Sequence, residues 1–166
     1  MTAALFEIDA IQQENYTGSN NEALVRDVKG EISGYELQLQ GKLTNNWFLI
    51  AGYSHLEGKD SDGDNLREIP ETMFSVWNKY ILNDQLSLGL GLTHQAESLT
   101  STGGTAYLPS FTRVDAAVYY KLSDKLKLQL NIENLTDELY YPNAHKDSQV
   151  TVGAPLNATF TVVGKF

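Results

Sequence analysis

No cysteine occurs in the 166 residues, which excludes a disulfide framework, a CxxC redox pair and a thiolate metal site. Cations are scarce as well. There are 12 Lys and Arg against 21 Asp and Glu, for a net charge of −9. That balance argues against nucleic acid, which asks for a basic stripe, and against a basic helix lying on a membrane surface. No apolar run approaches the roughly 18 residues of a transmembrane helix. The first residues, MTAALFEIDAIQQ, have no positive n-region and no cleavage site, so a signal peptide is not expected there. Nor do apolar residues recur at i, i+3 and i+4, as a helix would need. A transmembrane β-barrel survives these exclusions: only every second residue of its strands meets lipid, so it is polar on average, as this chain is.

What the chain has in abundance is alternation. In residues 108–141, LPSFTRVDAAVYYKLSDKLKLQLNIENLTDELYY, the residues Val114, Ala116, Val118 and Tyr120 share one parity, and Arg113, Asp115, Ala117, Tyr119 and Lys121 the other. After Leu-Ser-Asp-Lys the pattern resumes, with Leu126, Leu128, Leu130 and Ile132 against Lys127, Gln129, Asn131 and Glu133. Successive side chains of a strand point to opposite faces, so two such runs joined by a tight polar turn predict an antiparallel hairpin.

Further runs obey the same rule. Ala4, Phe6, Ile8 and Ala10 oppose Glu7, Asp9 and Gln13, with Leu5 and Ile11 off pattern. Tyr35, Leu37, Leu39 and Leu43 oppose Glu36, Gln38, Gln40 and Lys42, and Trp47, Leu49, Ala51 and Tyr53 share one side of the next run. Phe74, Val76, Tyr80 and Leu82 form a face in which Asn78 is a misfit; Leu86, Leu88, Leu90 and Leu92 form the cleanest one. The last run places Leu156, Ala158, Phe160, Val162, Gly164 and Phe166 together. About eight strands are expected. Their connections alternate between long loops and short turns, so in an up-and-down meander all short turns share one rim, as in an outer-membrane barrel. Trp47, Tyr80, Tyr120 and Phe166 fall at that rim on the apolar parity, where an interfacial girdle would put them, although aromatics are common in strands generally.

These residues resemble a family. Residues 108–141, followed by a loop, Gly153-Ala154-Pro155 and a strand ending in Phe166, are similar to the C-terminal end of TonB-dependent outer-membrane receptors of the ferric-siderophore type. Gly34-Tyr35-Glu36-Leu37, Trp47 with Ala51-Gly52-Tyr53-Ser54, and Pro70 with Trp77 and Tyr80 match the preceding barrel segments, so that the resemblance covers nearly the whole chain. It implies an all-β antiparallel meander of about eight transmembrane strands within a barrel of about 22 strands, in the outer membrane of a Gram-negative bacterium. Residues 1–166 would be the C-terminal portion of that barrel, with the plug domain, TonB box and signal peptide absent. The parent would bind and import a ferric siderophore as transported ligand, with no enzymatic activity and no cofactor of its own. It would reach the TonB complex only through the missing plug.

Candidate sites follow from the same comparison. Phe160, Val162 and Phe166 resemble the C-terminal signal read by the barrel assembly machinery, and equally suit ordinary contact with outer-membrane lipid. Glu36, Arg113, Asp115, Lys127 and Glu133 share the polar parity and would face the lumen. Tyr107, Tyr141 and His145 fall in outer loops; His145, beside Lys146 and Asp147, suits an anionic or catecholate ligand, while a mobile surface loop is the plainer reading. His94 reads as an interface residue. Asp60, Asp62, Asp64 and Glu71 mimic an EF-hand spacing, but Asn65 holds the position that needs glycine, so a solvated acidic loop and no metal are expected. No carboxylate pair, nucleophile elbow, Walker loop or HExxH supports a catalytic residue. Two other architectures satisfy the alternation: a complete eight-stranded outer-membrane barrel, and a soluble lipocalin-like barrel with the apolar parity inward around a ligand.

Overall fold

The computed structural model describes residues 1–17 and 19–165, with the side chains of Ala10, Gln12, Glu14, Asn15, Tyr16, Thr17 and Arg26 excepted. Phe166, part of the expected assembly signal and of the aromatic girdle, lies outside the described residues. In chain order the strands are β1 (Thr2–Thr17), β2 (Ala23–Lys42), β3 (Trp47–Asp60), β4 (Thr72–Ile81), β5 (Leu86–Gln95), β6 (Ser98–Leu99), β7 (Tyr107–Leu108), β8 (Phe111–Lys121), β9 (Leu126–Glu133), β10 (Ala144–Lys146), β11 (Gln149–Val150) and β12 (Asn157–Gly164). Eight of them form one sheet in the order β1-β2-β3-β4-β5-β8-β9-β12, every pair antiparallel. The remaining four make two small hairpins, β6-β7 and β10-β11, in the long connections where the sequence predicts no strand. Among the described residues β1 and β12 are not paired with each other, so the sheet is open, unlike either of the closed barrels that alternation also allows.

The three short turns are built alike. Residues 43–46, 82–85 and 122–125 each begin with leucine followed by Thr44, Asn83 or Ser123. That second side chain accepts the amide three residues on, at 3.1 Å for Trp47, 2.9 Å for Leu86 and 3.1 Å for Leu126. Short polar side chains that bind the backbone locally are what a tight turn selects. In the last of these turns Lys121 Nζ lies 2.6 Å from Asp124 and its hydrogen bond holds the Asp124 carboxyl below its usual range; the pair is exposed and adds little stability.

Register divides the sheet into two faces. Leu37, Tyr53, Phe74, His94 and Thr112 fall on one, with Leu39, Ala51, Val76, Leu92 and Val114 beside them. Although apolar, this face is open: Leu90 is 53 % exposed and Phe160 63 %. Asn78, the misfit, accepts the Trp47 indole N–H at 3.0 Å on the same face. Trp47, Tyr80 and Tyr120 stand there at the short-turn end as expected.

The opposite face is polar but close-packed at its centre. Trp77 lies over Gly89 and Gly91, where an added Cβ would come within 2.5 Å of the indole, and Ala117 is buried alongside. Lys79 Nζ sits 4.3 Å from the Tyr119 ring centre.

The first strand corrects an expectation. Ala4 pairs with Glu36, Phe6 with Gly34 and Ile8 with Ile32, which puts the apolar parity of β1 on the polar face of the sheet. Leu5, one of the two off-pattern residues, is the one opposite Tyr35 on the apolar face, and Glu7, Asp9, Glu31 and Lys29 continue that face toward the loops. The cause is length. β1, β2 and β3 run 16, 20 and 14 residues, beyond the 10 of β4 and β5. In the overhang the polarity inverts: charges face outward, and Val28 is buried inward, where Leu66 rests on Gly30 and Gly58.

Candidate functional site

Most of the fully buried side chains lie under the long loops at one end of the sheet. Leu66, Leu99, Leu108, Phe111, Tyr140 and Ala144 are buried there, together with Ser98, Thr100, Thr102 and Asn134. Backbone polar groups in such a place must be paired, and the loops pair one another's. Residues 61–71 turn over the sheet edge, with Leu66 N bonded to Gly58 O at 3.0 Å. Asp60 starts that loop by accepting the amides of Asp62 and Asp64 at 3.0 and 2.8 Å. Its carboxylate thus shapes an Asx-type turn, and among the described residues no group of three or more His, Cys, Asp or Glu converges on a metal position.

The loop then meets the others. Glu68 N donates to Leu99 O (2.9 Å), and Glu68 Oε1 accepts from Ala144 N (2.8 Å). The Arg67 guanidinium donates to His145 O (2.9 Å) and Gln13 O (3.2 Å), while its amide donates to Thr102 Oγ1 (3.2 Å). Asp147 accepts the hydroxyls of Thr100 and Ser101, at 2.5 and 3.1 Å. Gln95 Nε2 reaches Pro142 O at 3.3 Å. The loop carrying His145 is therefore tied by hydrogen bonds to two neighbouring loops.

A second network anchors that loop to the polar face. Arg113 and Asp115 form an ion pair at 2.9 Å, and the other Arg113 nitrogen donates to the Tyr140 hydroxyl at 3.2 Å. Asp115 Oδ1 accepts the amide of Asn134 at 2.9 Å. Asn134 is 1 % exposed, with φ +53°, and its side chain donates to Glu138 O and Ala154 O and accepts from Glu138 N, all within 3.0 Å. Asparagine tolerates the left-handed region better than most residues. Tyr140 packs on Phe111 with ring centres 4.6 Å apart and leaves room beside it only for Gly153, since a Cβ there would come within 2.4 Å of the ring.

Glu36, Arg113, Asp115, Lys127 and Glu133 fall on one face, by the pairs Glu36–Ser54, Gly91–Asp115, Lys121–Lys127 and Glu133–Asn157. Of the five, Arg113 and Asp115 bond each other; Glu133 Oε2 accepts from Asn157 Nδ2 at 3.4 Å. Phe160 and Val162 lie on the apolar face of β12, opposite Leu130 and Leu128. Tyr107, Tyr141 and His145 are not gathered into one pocket. Tyr107 borders a hollow with Glu57, Lys59, Ile69 and Glu97, whereas His145 borders another with Arg67, Glu68 and Thr151. Tyr141 is half-buried between them in the chain. His94, on the apolar face, shares a 2.9 Å hydrogen bond with Thr112 Oγ1. Alternation gives no hint of Arg67 and Glu68, whose partners lie up to 78 residues away. For Asn134 the only local signal is a turn-forming residue at a strand end.

Comparison with known proteins gives this geometry a family. The β-barrel model of TonB-dependent receptor-like proteins matches residues 1–135. The catecholate siderophore receptor Fiu of Escherichia coli K12 is 31 % identical over 159 residues, 88 % of this chain and 20 % of Fiu. The crystal structure of the siderophore receptor PiuA from Acinetobacter baumannii superposes with a TM-score of 0.81 at 25 % identity, over 99 % of this chain and 26 % of that one. The copper transporter OprC shares the fold at a TM-score of 0.77 and 21 % identity, over 99 % of this chain and 27 % of its own. The chain thus spans about a quarter of the length of the relatives it matches. By strand order, loop asymmetry and family model together, it belongs to the β-barrel family of TonB-dependent receptors.

Proposed function

We propose that this chain is the C-terminal portion of a receptor that captures a ferric siderophore at the cell surface and imports it with energy from TonB. TonB-dependent receptors are outer-membrane proteins of Gram-negative bacteria, and transporters, not enzymes. In that setting the apolar face meets lipid, the polar face carrying Glu36, Arg113, Asp115, Lys127 and Glu133 lines the lumen, and the short turns point to the periplasm. The observation that carries the reading is the knitted set of outer loops: three long loops share one rim, and their hydrogen bonds run to each other. A cap of that kind offers a shaped surface to a ligand that is too large for a single loop. The siderophore is favoured over other cargo by the likeness to Fiu, since the same fold also serves a copper transporter. Tyr107, Tyr141 and His145 remain ligand contacts in this proposal, on adjacent parts of one rim. Phe160, Val162 and Phe166 would be read by the barrel assembly machinery, and TonB would act through a plug outside this chain.

The test is uptake of iron-55 presented as a 2,3-dihydroxybenzoate complex by cells whose only outer-membrane receptor contains this chain. Uptake that requires both the receptor and TonB is expected. Iron entry at the same rate without the receptor, or no entry with it, would refute the assignment of cargo.

A further inference from the structure

We propose that Arg67 and Glu68 are a positioning pair that joins the outer loops into one body, so that ligand affinity depends on two residues that need not touch the ligand. The proposal rests on the ferric-siderophore reading for its affinity arm alone. From this dipeptide, hydrogen bonds reach β1 through Gln13 O, the β5–β8 loop through Leu99 O and Thr102, and the β9–β12 loop through Ala144 N and His145 O. These partners lie 54 residues before and as far as 78 residues after it. Guanidinium suits the task because its rigid planar fork carries donors on separate nitrogens, one used for His145 O and the other for Gln13 O, whereas lysine holds all three of its donors on a single nitrogen.

Two further observations set the dipeptide apart. Glu68 has φ +55°, a left-handed conformation uncommon for a residue with a long side chain. Such a conformation persists where the surroundings over-determine it, and here the Glu68 amide donates a hydrogen bond to Leu99 O while its carboxylate accepts one from Ala144 N, which fixes both the backbone and the side chain of the residue. Immediately before it, Leu66 is 2 % exposed and seated against Gly30 and Gly58 of β2 and β3. The hub is thereby pinned to the sheet on one side and to two foreign loops on the other. Displacing any one of these loops must strain the bonds to the rest.

The experiment uses the full-length receptor that contains this chain, purified in detergent, with hydrogen–deuterium exchange read by mass spectrometry. Arg67→Ala is expected to speed exchange about tenfold in residues 140–151, the scale set by losing a charge-assisted hydrogen bond. Glu68→Ala is expected to loosen residues 98–108 and 140–151, and Glu68→Gln, which keeps an acceptor oxygen, to stay within about twofold of wild type. Strand amides of β4, β5 and β8 should not change, which separates loosening from misfolding. In whole cells, Arg67→Ala should raise the half-saturating concentration of the iron-55 2,3-dihydroxybenzoate complex about tenfold with the maximal rate retained. Exchange changes confined to residues 61–71, or loosened loops with unchanged half-saturation, would overturn the proposal. If the wild-type receptor takes up no complex, the cargo reading fails, while the exchange pattern still decides whether the hub exists.

Discussion

At the scale of single residues, the exceptions to the pattern are explained by particular partners. Asn78 breaks an apolar face, yet its side-chain oxygen takes the Trp47 indole N–H at 3.0 Å near the short-turn rim. Trp47→Phe should leave that oxygen without its partner and cost about 1–2 kcal/mol. Asn78→Leu in the same background should recover most of the loss, which a double-mutant cycle on urea unfolding would measure. Asn134, just past the end of β9, also depends on particular partners, since its buried amide closes the loop between β9 and β12 through three hydrogen bonds. For Asn134→Ala we expect local opening to become easier by about 3 kcal/mol. Tryptic cleavage after Lys146 in intact cells should then accelerate by about 100-fold. Unchanged cleavage would mean that the loop is held elsewhere.

At the scale of elements, β1 to β3 outrun the strands beside them, and their polarity changes along their length. Glu31 and Leu37 share the apolar-face parity of β2, but Leu37 pairs with Tyr53 at the level of the belt, and Glu31 with Lys59 beyond it. A charge placed at Leu90, midway along β5, should therefore cost about 2–4 kcal/mol of unfolding free energy, whereas Glu31→Lys should cost close to nothing. The eight strands of the main sheet, their pairing order and the positions of their turns were legible in the sequence because alternation and short polar turns are local signals. The faces of β1 were not, because its apolar side falls on the polar face of the sheet, which only its pairing with β2 reveals: Ala4 lies opposite Glu36 and Ile8 opposite Ile32. The hairpins β6-β7 and β10-β11 are two or three residues per strand, too short for a period to show. What holds them, and what assembles the candidate site, is contact between loops far apart in sequence: Thr100 with Asp147, Glu68 with Ala144. Tyr107 and His145 were visible as loop residues but their separation into two hollows was not.

At the scale of the whole molecule, the sheet has two free edges among the described residues, at β1 and β12. Unpaired strand edges recruit other strands, so the chain by itself should aggregate in buffer and give heterogeneous species in micelles. A sharp, folded monomer without detergent would contradict a membrane barrel segment and favour a soluble one. Within the receptor, the central claim is that all long loops face the outside and all short turns the periplasm. The absence of native cysteine from this chain makes that claim directly measurable with single cysteines placed in the full-length receptor and a membrane-impermeant maleimide. Asp62→Cys and Tyr107→Cys should react in intact cells, and Asn45→Cys, Asp84→Cys and Asp124→Cys only after the outer membrane is opened. Labelling of the turn positions in intact cells, or protection of both loop positions, would show that this arrangement is wrong.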